Sequence, residues 1–453
     1  MENNTKQIVL IGGGYASIWA YRSIVNELLM DMIAGRVRLT VICPEEFHFF
    51  HGWTAESFAG IIRDQNRMSP LKDIFKYAIL LEGKVSRIET DAQQLFVEMN
   101  NGEKKTIHYD QLMMGMGSSD KTGITGLAEH GYQLKSHAAY ESAKLRVRFL
   151  LARAAEADPA IAGKLLRFVV AGCGYTGVEM ASSLAEMIKT VSKEFPSLQN
   201  IRPMVTLVNS ARVILPGLQP QMNGIRNYTN KVLRYYGIEI IQSSRITRVT
   251  GKGAYLENGS FIESGMVITT IGQTRILLNG TENLERDAEK RIITNQFLQV
   301  NNHQNIWGAG DAVHVTHPGS KSACPSNALW AINQGTHAGK NIARAILDEP
   351  LKPFRFKGLG QCASLGIGKG IGELYGFEFT GWVAWIMRWF FFQYYMPSKK
   401  IMWREIGDWA RLFLTRRRVG LDIRTVPITK NKLPKWRPSL GIVKPGFQKF
   451  HRA

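Results

Sequence analysis

Phe168-Val169-Val170-Ala171-Gly172-Cys173-Gly174-Tyr175-Thr176-Gly177 is the stretch that decides the fold. A short β-branched apolar run enters a turn with the spacing GxGxxG. Val178, Ala181, Leu184, Ala185 and Ile188 then recur at helical intervals, and Val205 to Val208 supplies another apolar run. The segment therefore reads strand, glycine turn, helix, parallel strand. At such a turn the glycines let backbone approach a pyrophosphate, whose charge sits against free N–H groups at the helix N-terminus.

The same pattern stands near the N-terminus. Ile8-Val9-Leu10-Ile11 enters Gly12-Gly13-Gly14, Ala16, Trp19, Ala20 and Ile24 follow at helical spacing, and Val37 to Ile42 is the next strand. Ser17 replaces the third glycine, which serves helix–strand packing and not phosphate contact. Two such units in one chain are a duplicated architecture. Short strand-like stretches follow each unit: Val85 to Ile88, Leu95 to Met99 and Thr106 to Tyr109 after the first, Ile246 to Val249, Ala254 to Leu256 and Met266 to Ile271 after the second. Each half thus carries a small antiparallel insertion.

The acidic residue that ordinarily ends the second strand and binds ribose hydroxyls is missing from both units. In the first, Cys43 ends the strand and Glu45 or Glu46 must substitute. In the second, the strand ends at Asn209, followed by Ser210, Ala211 and Arg212. Losing a carboxylate and gaining an arginine admits a 2′-phosphate, hence NADPH beside NADH. Arg212 also reads as a solvated surface charge, and a site that has lost nicotinamide binding stays open. A further apolar strand, Asn305-Ile306-Trp307-Gly308-Ala309, ends in Gly310-Asp311, where a carboxylate can accept hydrogen bonds from sugar or ribityl hydroxyls. At this distance after two nucleotide folds it suggests FAD.

Composition bounds the rest. The chain has 453 residues, 45% of them hydrophobic and 21% charged, which excludes a polytopic membrane protein and a disordered chain. Its net charge of +20 is concentrated at one end: residues 388–453 hold 16 Lys and Arg against Glu405, Asp408 and Asp422. No nucleic-acid recognition motif accompanies that charge. Cys43, Cys173, Cys324 and Cys362 lie far apart, without a CxxC pair, so they indicate a reducing compartment and neither a metal site nor a paired redox centre. The first apolar run is too short for a signal-peptide core.

Trp382 to Met396 is 15 residues long with Arg388 and Gln393 inside, short of the roughly 20 residues a membrane span needs. Trp382, Trp385, Ile386 and Trp389 share one helical face. In the next stretch Met402, Ile406, Trp409 and Phe413 share a face, with Lys400, Arg404, Asp408 and Arg411 placed elsewhere. Tryptophan-rich faces flanked by Lys and Arg, followed by Arg416-Arg417-Arg418 and the acid-free tail from Pro427, fit a helix lying on an anionic leaflet. A buried homodimer interface also favours aromatics.

Val170 to Leu184, Ile306 to Val313, Ala331 to Asn341, Pro353 to Leu374 and Gly381 to Arg416 together resemble the type II NADH dehydrogenases, the NADH:quinone oxidoreductases among two-dinucleotide flavoproteins. The resemblance runs from about Lys6 to Ile423. It implies an α/β fold with two Rossmann-like domains and a C-terminal amphipathic membrane-anchoring segment. The FAD domain would comprise residues 1–140 and 297–375, the NAD(P)H domain 141–296, and the anchor 376–453. FAD contacts are implied for Gly12, Gly14, Tyr15, Ala16, Glu45, Val85, Gly117, Gly310, Asp311 and Ala328. NAD(P)H contacts are implied for Gly172, Gly174, Tyr175, Thr176, Gly177, Glu179, Asn209 and Gly272. Glu179 and Gln334 would serve catalysis, Glu179 orienting the carboxamide or flavin edge or else complementing the helix dipole. Gly117 ends Met114-Gly115-Met116-Gly117, where the family has Ala-Thr-Gly. The family's quinone region has a pair of Gln four residues apart before Gln-Gly, and Leu329 and Asn333 occupy those positions here.

The expected reaction passes hydride from nicotinamide to flavin and two electrons to a membrane quinone near Pro325, Asn327, Ala328 and Gln334, without proton pumping. The expected place is the cytoplasmic side of the cell membrane, peripherally. Reduction of a non-quinone acceptor and a flavin-binding membrane protein without nicotinamide turnover are the competing readings.

Overall fold

The computed structural model describes residues 5–201, 203–416 and 418. The tail from Pro427 to Ala453, and Arg417 of the basic run, lie outside the described residues.

Both expected βαβ units form. In the first sheet, strands Ile306–Gly308, Gln111–Met114, Lys6–Ile11, Val37–Cys43 and Ile79–Glu89 lie side by side in that order, all parallel. Ile79–Glu89 is longer than the sequence pattern indicated. Its first residues complete the parallel sheet beside Thr40 to Cys43, and its later ones turn into an antiparallel meander with Gln94–Met99 and Lys104–His108. In the second sheet, Gly131–Tyr132, Met266–Thr269, Arg167–Ala171, Met204–Val208 and Glu239–Ile241 are parallel. Met266–Thr269 therefore belongs to the main sheet and not to the antiparallel insertion, which is Ile246–Thr250, Gly253–Leu256 and Phe261–Glu263. Gly131–Tyr132, expected in the first domain, pairs with the second sheet.

Six helices position the site. In chain order they are α1 (Tyr15–Ile33), α2 (Thr54–Phe58), α3 (Tyr175–Glu194), α4 (Ala328–Ile346), α5 (Gly381–Tyr395) and α6 (Lys399–Thr415). α1 leaves the first glycine turn and α3 the second. α4 crosses α1 at near backbone contact, because a side chain at Gly335 or Gly339 would collide with the carbonyls of Ala16 and Ala20. This crossing brings the start of α4 against the Gly310-Asp311 turn.

α5 and α6 are no loose appendage. Trp385, Ile401, Trp409 and Leu412 are buried in one cluster with Trp53, Phe58 and the core of the second fold. Of the apolar face expected on α6, only Trp409 is buried, and Met402 and Ile406 are half-buried while Phe413 is exposed. Asp408, expected on the polar side, is fully buried and bonds to Arg63 and Asn66. Periodicity misassigned this face because an acidic residue looks solvated until its partner, 345 residues away for Arg63, is known. Outward from α5 stand Trp382, Val383, Ile386, Phe390 and Tyr394. Among the described residues no helix is long and apolar enough to cross a membrane.

Candidate active site

The two glycine turns sit at the carboxyl ends of their parallel strands, where open α/β sheets place ligands. Gly12 and Gly172 have φ of +103° and +105°, a conformation that favours glycine. A side chain at Gly12 would also press on Gly115 O at 2.6 Å. Gly14 and Gly174 face open space, with nothing within 4 Å of where a Cβ would stand. They cap α1 and α3, neither of which has an acidic residue in its first turn, so both helix N-termini present N–H groups to an anion.

The remaining turns converge on the same side. Gly117 and Gly272, with φ of +70° and +106° and open space around them, flank the two-stranded ribbon of Ser118–Asp120 and Gln273–Arg275 that joins the two folds. Gly310 has φ +76° and is followed by Asp311, which accepts from Ser118 Oγ at 2.7 Å and Lys135 Nζ at 3.1 Å. Ala328 is the first residue of α4. Tyr15 opens α1 and its hydroxyl accepts from His51 N at 3.0 Å. Ala16 packs against the Gly310 turn. Glu45 is exposed just past the strand Val37–Cys43, and Val85 lies beyond the end of that strand on its neighbour, with its side chain in the core.

Gln334 is buried beside the Gly310 turn, and its Oε1 accepts from Gly310 N at 2.8 Å, so the carboxamide supports the Gly310-Asp311 turn. Asn209 is likewise used internally. It is buried, donates to Val213 O at 2.7 Å and accepts from Ala211 N at 3.3 Å, which closes the loop after its strand. Each amide oxygen is thus held by a backbone N–H where it lies. Arg212 beyond it is exposed. Thr176 is exposed at the start of α3, and Tyr175 beside it holds a buried hydroxyl that has no partner.

Glu179 belongs to a charge cluster that no local sequence signal announced. Arg388 of α5, 2% exposed, donates Nη1 to Glu56 Oε1 at 2.7 Å and Nη2 to Glu179 Oε1 at 3.0 Å. Arg388 Nη2 also reaches Gly52 O at 2.9 Å, and the guanidinium lies 4.4 Å from the Phe392 ring centroid. Ser364 N donates to Glu179 Oε1 at 2.8 Å. Burial raises the Glu179 carboxyl from 4.5 to about 7. Arg388 pulls it down and Glu56 pushes it up. With 18% of its side chain accessible, Glu179 is a group that can take up and release a proton near neutral pH. The arrangement draws one carboxylate from the first fold, one from the second, and their shared cation from the C-terminal helices.

All four cysteines are free, and Cys43, Cys173 and Cys324 are buried. Burial pushes the Cys362 and Cys324 thiols up to about 11. Among the described residues no His, Cys, Asp and Glu gather into a group able to hold a metal ion.

Residues 6–335 match the family profile described as pyridine nucleotide-disulphide oxidoreductase. The chain belongs to this family. Within this oxidoreductase family it is a divergent relative of the type II NADH:quinone oxidoreductases. It is 26% identical to the one from Staphylococcus haemolyticus over 398 residues, covering 86% of this chain and 94% of that protein. Its fold is similar to that of NDH2 from Plasmodium falciparum solved with NADH, with TM-score 0.80, 13% identity and coverage of 92% and 99%. It is also similar to the sulfide:quinone oxidoreductase of Aquifex aeolicus, with TM-score 0.67, 15% identity and coverage of 92% and 96%. The residues present fit a flavin and a nicotinamide dinucleotide. Each turn has a strained glycine where a Cβ would press on backbone, and an open glycine where a phosphate must come close.

Proposed function

We propose that this oxidoreductase oxidises NADH or NADPH with FAD as resident cofactor and delivers two electrons to a membrane quinone, acting as a peripheral enzyme on the cytoplasmic side of the cell membrane without proton pumping. The observation that carries the reading is the pair of open glycine turns at the starts of α1 and α3 together with Glu179 and Arg388 between the folds. FAD, when bound, supplies a two-electron relay between nicotinamide and acceptor.

The chain's own residues supply position and charge. Gly12, Gly14 and the first amides of α1 hold the FAD pyrophosphate, with Tyr15 and Ala16 walling that turn. Asp311 accepts from ribityl hydroxyls, Glu45 from ribose, and Val85 offers backbone to the adenine side. Gly117 and Ala328 leave room and N–H groups near the ring system. Gly172, Gly174, Tyr175, Thr176, Gly177 and Gly272 bind the nicotinamide dinucleotide. Asn209 shapes the loop that meets its ribose, and Arg212 admits a 2′-phosphate. Glu179 holds a proton beside the reacting groups, and Arg388 keeps that proton exchangeable.

The exposed Trp382, Ile386, Phe390 and Tyr394, bordered by the exposed Lys399, Lys400, Arg404 and Arg411, suit an anionic membrane surface. The same aromatic face serves a homodimer, and vesicle flotation against light scattering separates the two. Leu329 is buried and Asn333 donates its amide to Leu329 O at 2.9 Å, which favours a non-quinone acceptor as the second reading. The test is anaerobic mixing of FAD-loaded protein with NADH and separately NADPH, followed by a short-chain quinone. Fast loss of flavin absorbance and its return with quinone support the proposal. Loss without return assigns another acceptor, and no loss with either nucleotide overturns it.

A further inference from the structure

Glu405 of α6 and Gln393 of α5 are both buried, Glu405 completely. Gln393 Nε2 donates to Glu405 Oε2. The oxygens left over, Gln393 Oε1 and Glu405 Oε1, are closed off from solvent and neither receives a hydrogen bond. A buried pair joined at one corner, with an acceptor wasted on each partner, is the signature of a missing proton. A proton on Glu405 Oε1 would give that oxygen a hydrogen to donate, and Gln393 Oε1 is the unsatisfied acceptor on the side chain already bonded to it.

The surroundings favour that proton. Glu56 of α2 and Asp408 of α6 both oppose a further negative charge on Glu405. The nearby cations are already committed, Arg388 of α5 to Glu56 and Glu179, and Arg63 to Asp408. The Trp409 ring N–H favours the ionised form but stops short of a hydrogen bond. Burial outweighs the donors and lifts the carboxyl from 4.5 to about 8.

We propose that Glu405 is a positioning residue that works as a neutral acid: its pair with Gln393 fixes α5 on α6, and α5 carries Arg388 to Glu56 and Glu179. The pairing itself is independent of the reaction. Its bearing on turnover rests on the proposed function. Between pH 4.5 and about 8 the folded chain keeps a proton on Glu405 that the unfolded chain releases, so stability falls as pH rises through that window. Glu179 contributes the same sign but only up to about 7. The two titrations overlap, so the share of Glu405 is the part of the slope that Glu405→Gln removes.

The test is Glu405→Gln in the full chain, since a carboxamide reproduces the neutral acid's donor and acceptor. The variant should melt at or above the wild type at pH 7.5, show a smaller fall in melting temperature between pH 7 and 8, and lack one component of the protonated-carboxyl infrared absorption that the wild type shows at pH 7. Melting below the wild type with the slope intact overturns the proposal. The wild type alone gives a second measurement: a protonated-carboxyl band vanishing with a midpoint near pH 8 supports the acid, and complete loss by pH 7 overturns it. For positioning, the alkaline limit of flavin reduction by NADH should move upward in Glu405→Gln. An unmoved limit beside an altered melting curve overturns the positioning role. Absence of flavin reduction in the wild type at every pH would count against the proposed function, while the melting and infrared results stand by themselves.

Discussion

The two glycine turns differ by 160 residues and by one exchange of side chains. Their backbones coincide in detail: Gly12 N and Gly172 N each donate at 2.8 Å to the end of the neighbouring strand, at Ile42 O and Val208 O. Gly115 N and Thr270 N likewise reach Ile11 O and Ala171 O. In the first turn a hydroxyl comes from the helix, with Ser17 Oγ donating to Ile11 O at 3.3 Å, and the opposite strand end is Gly115. In the second the helix has Gly177 and the hydroxyl comes from across, with Thr270 Oγ1 donating to Ala171 O at 2.9 Å. Each crossing holds one side chain, supplied by the helix in the first turn and by the facing strand end in the second. The departure of Ser17 from the glycine pattern is therefore compensated by Gly115.

One turn along each helix the two folds differ again. Trp19 of α1 and Glu179 of α3 stand at equivalent positions and both face α5, Trp19 against Tyr395 at 6.3 Å and Glu179 against Arg388. At this pair of positions the first fold meets α5 through an aromatic and the second through charge, while Glu56 and Arg63 give the first fold ion pairs of its own with α5 and α6. Arg388→Met tests that division with the largest effect. It strands Glu56 and Glu179 in the interior, with an expected loss of about 3 to 5 kcal/mol in denaturant unfolding, and flavin reduction by NADH falls with it. A loss no larger than for an exposed arginine would end the claim that charge joins the second fold to α5.

Gly177→Ser comes next, because a side chain there collides with the carbonyl oxygen of Gly172. The expected cost is about 3 kcal/mol. Adding Thr270→Gly, which copies the first turn, should recover only part of the melting temperature, since the clash is with backbone. Gly115→Thr copies the second turn into the first and presses on Ser17. Its expected cost is about 2 kcal/mol, and Ser17→Gly in the same chain should restore both melting and flavin content. Failure of that rescue would show that the two turns are not interchangeable. Glu179→Gln should gain melting temperature relative to the wild type as pH rises from 4.5 to about 7, because the wild-type folded chain holds a proton there that its unfolded chain releases.

The smallest expected difference lies in the two tyrosines. Tyr15 has a hydrogen bond from His51 N, and Tyr175 has none. Tyr15→Phe should cost about 1 kcal/mol, and Tyr175→Phe less than about 0.5 kcal/mol. If nicotinamide dinucleotide supplies the missing partner, Tyr175→Phe raises the KM for NADH at unchanged melting temperature.

The strands, turns and helices of both folds were legible because their signals are local. Apolar runs of period two, glycines at fixed spacing and helical recurrence all lie within about thirty residues of one another. Leu329 and Asn333 were also readable as departures, since a pattern defines them. The cluster of Glu56, Glu179 and Arg388 was not. Arg388 and Glu56 are separated by 332 residues, and each alone looks like a surface charge, so Arg388 read as polarity interrupting an apolar stretch. The internal bonds of Gln334 and Asn209 were unreadable for a related reason, since their partners, Gly310 N and Val213 O, are known only once the turns fold.

The sequence by itself determined that the chain has two dinucleotide turns, a Gly-Asp strand end and an amphipathic, basic C-terminal region, because backbone conformation and hydrophobic periodicity are set by neighbours along the chain. Tertiary structure alone decided which ionisable groups are buried, which of them share a cation, and that α5 and α6 pair with residues of both folds. Charge in a low-dielectric interior is governed by what lies across space, and no spacing along the chain records that.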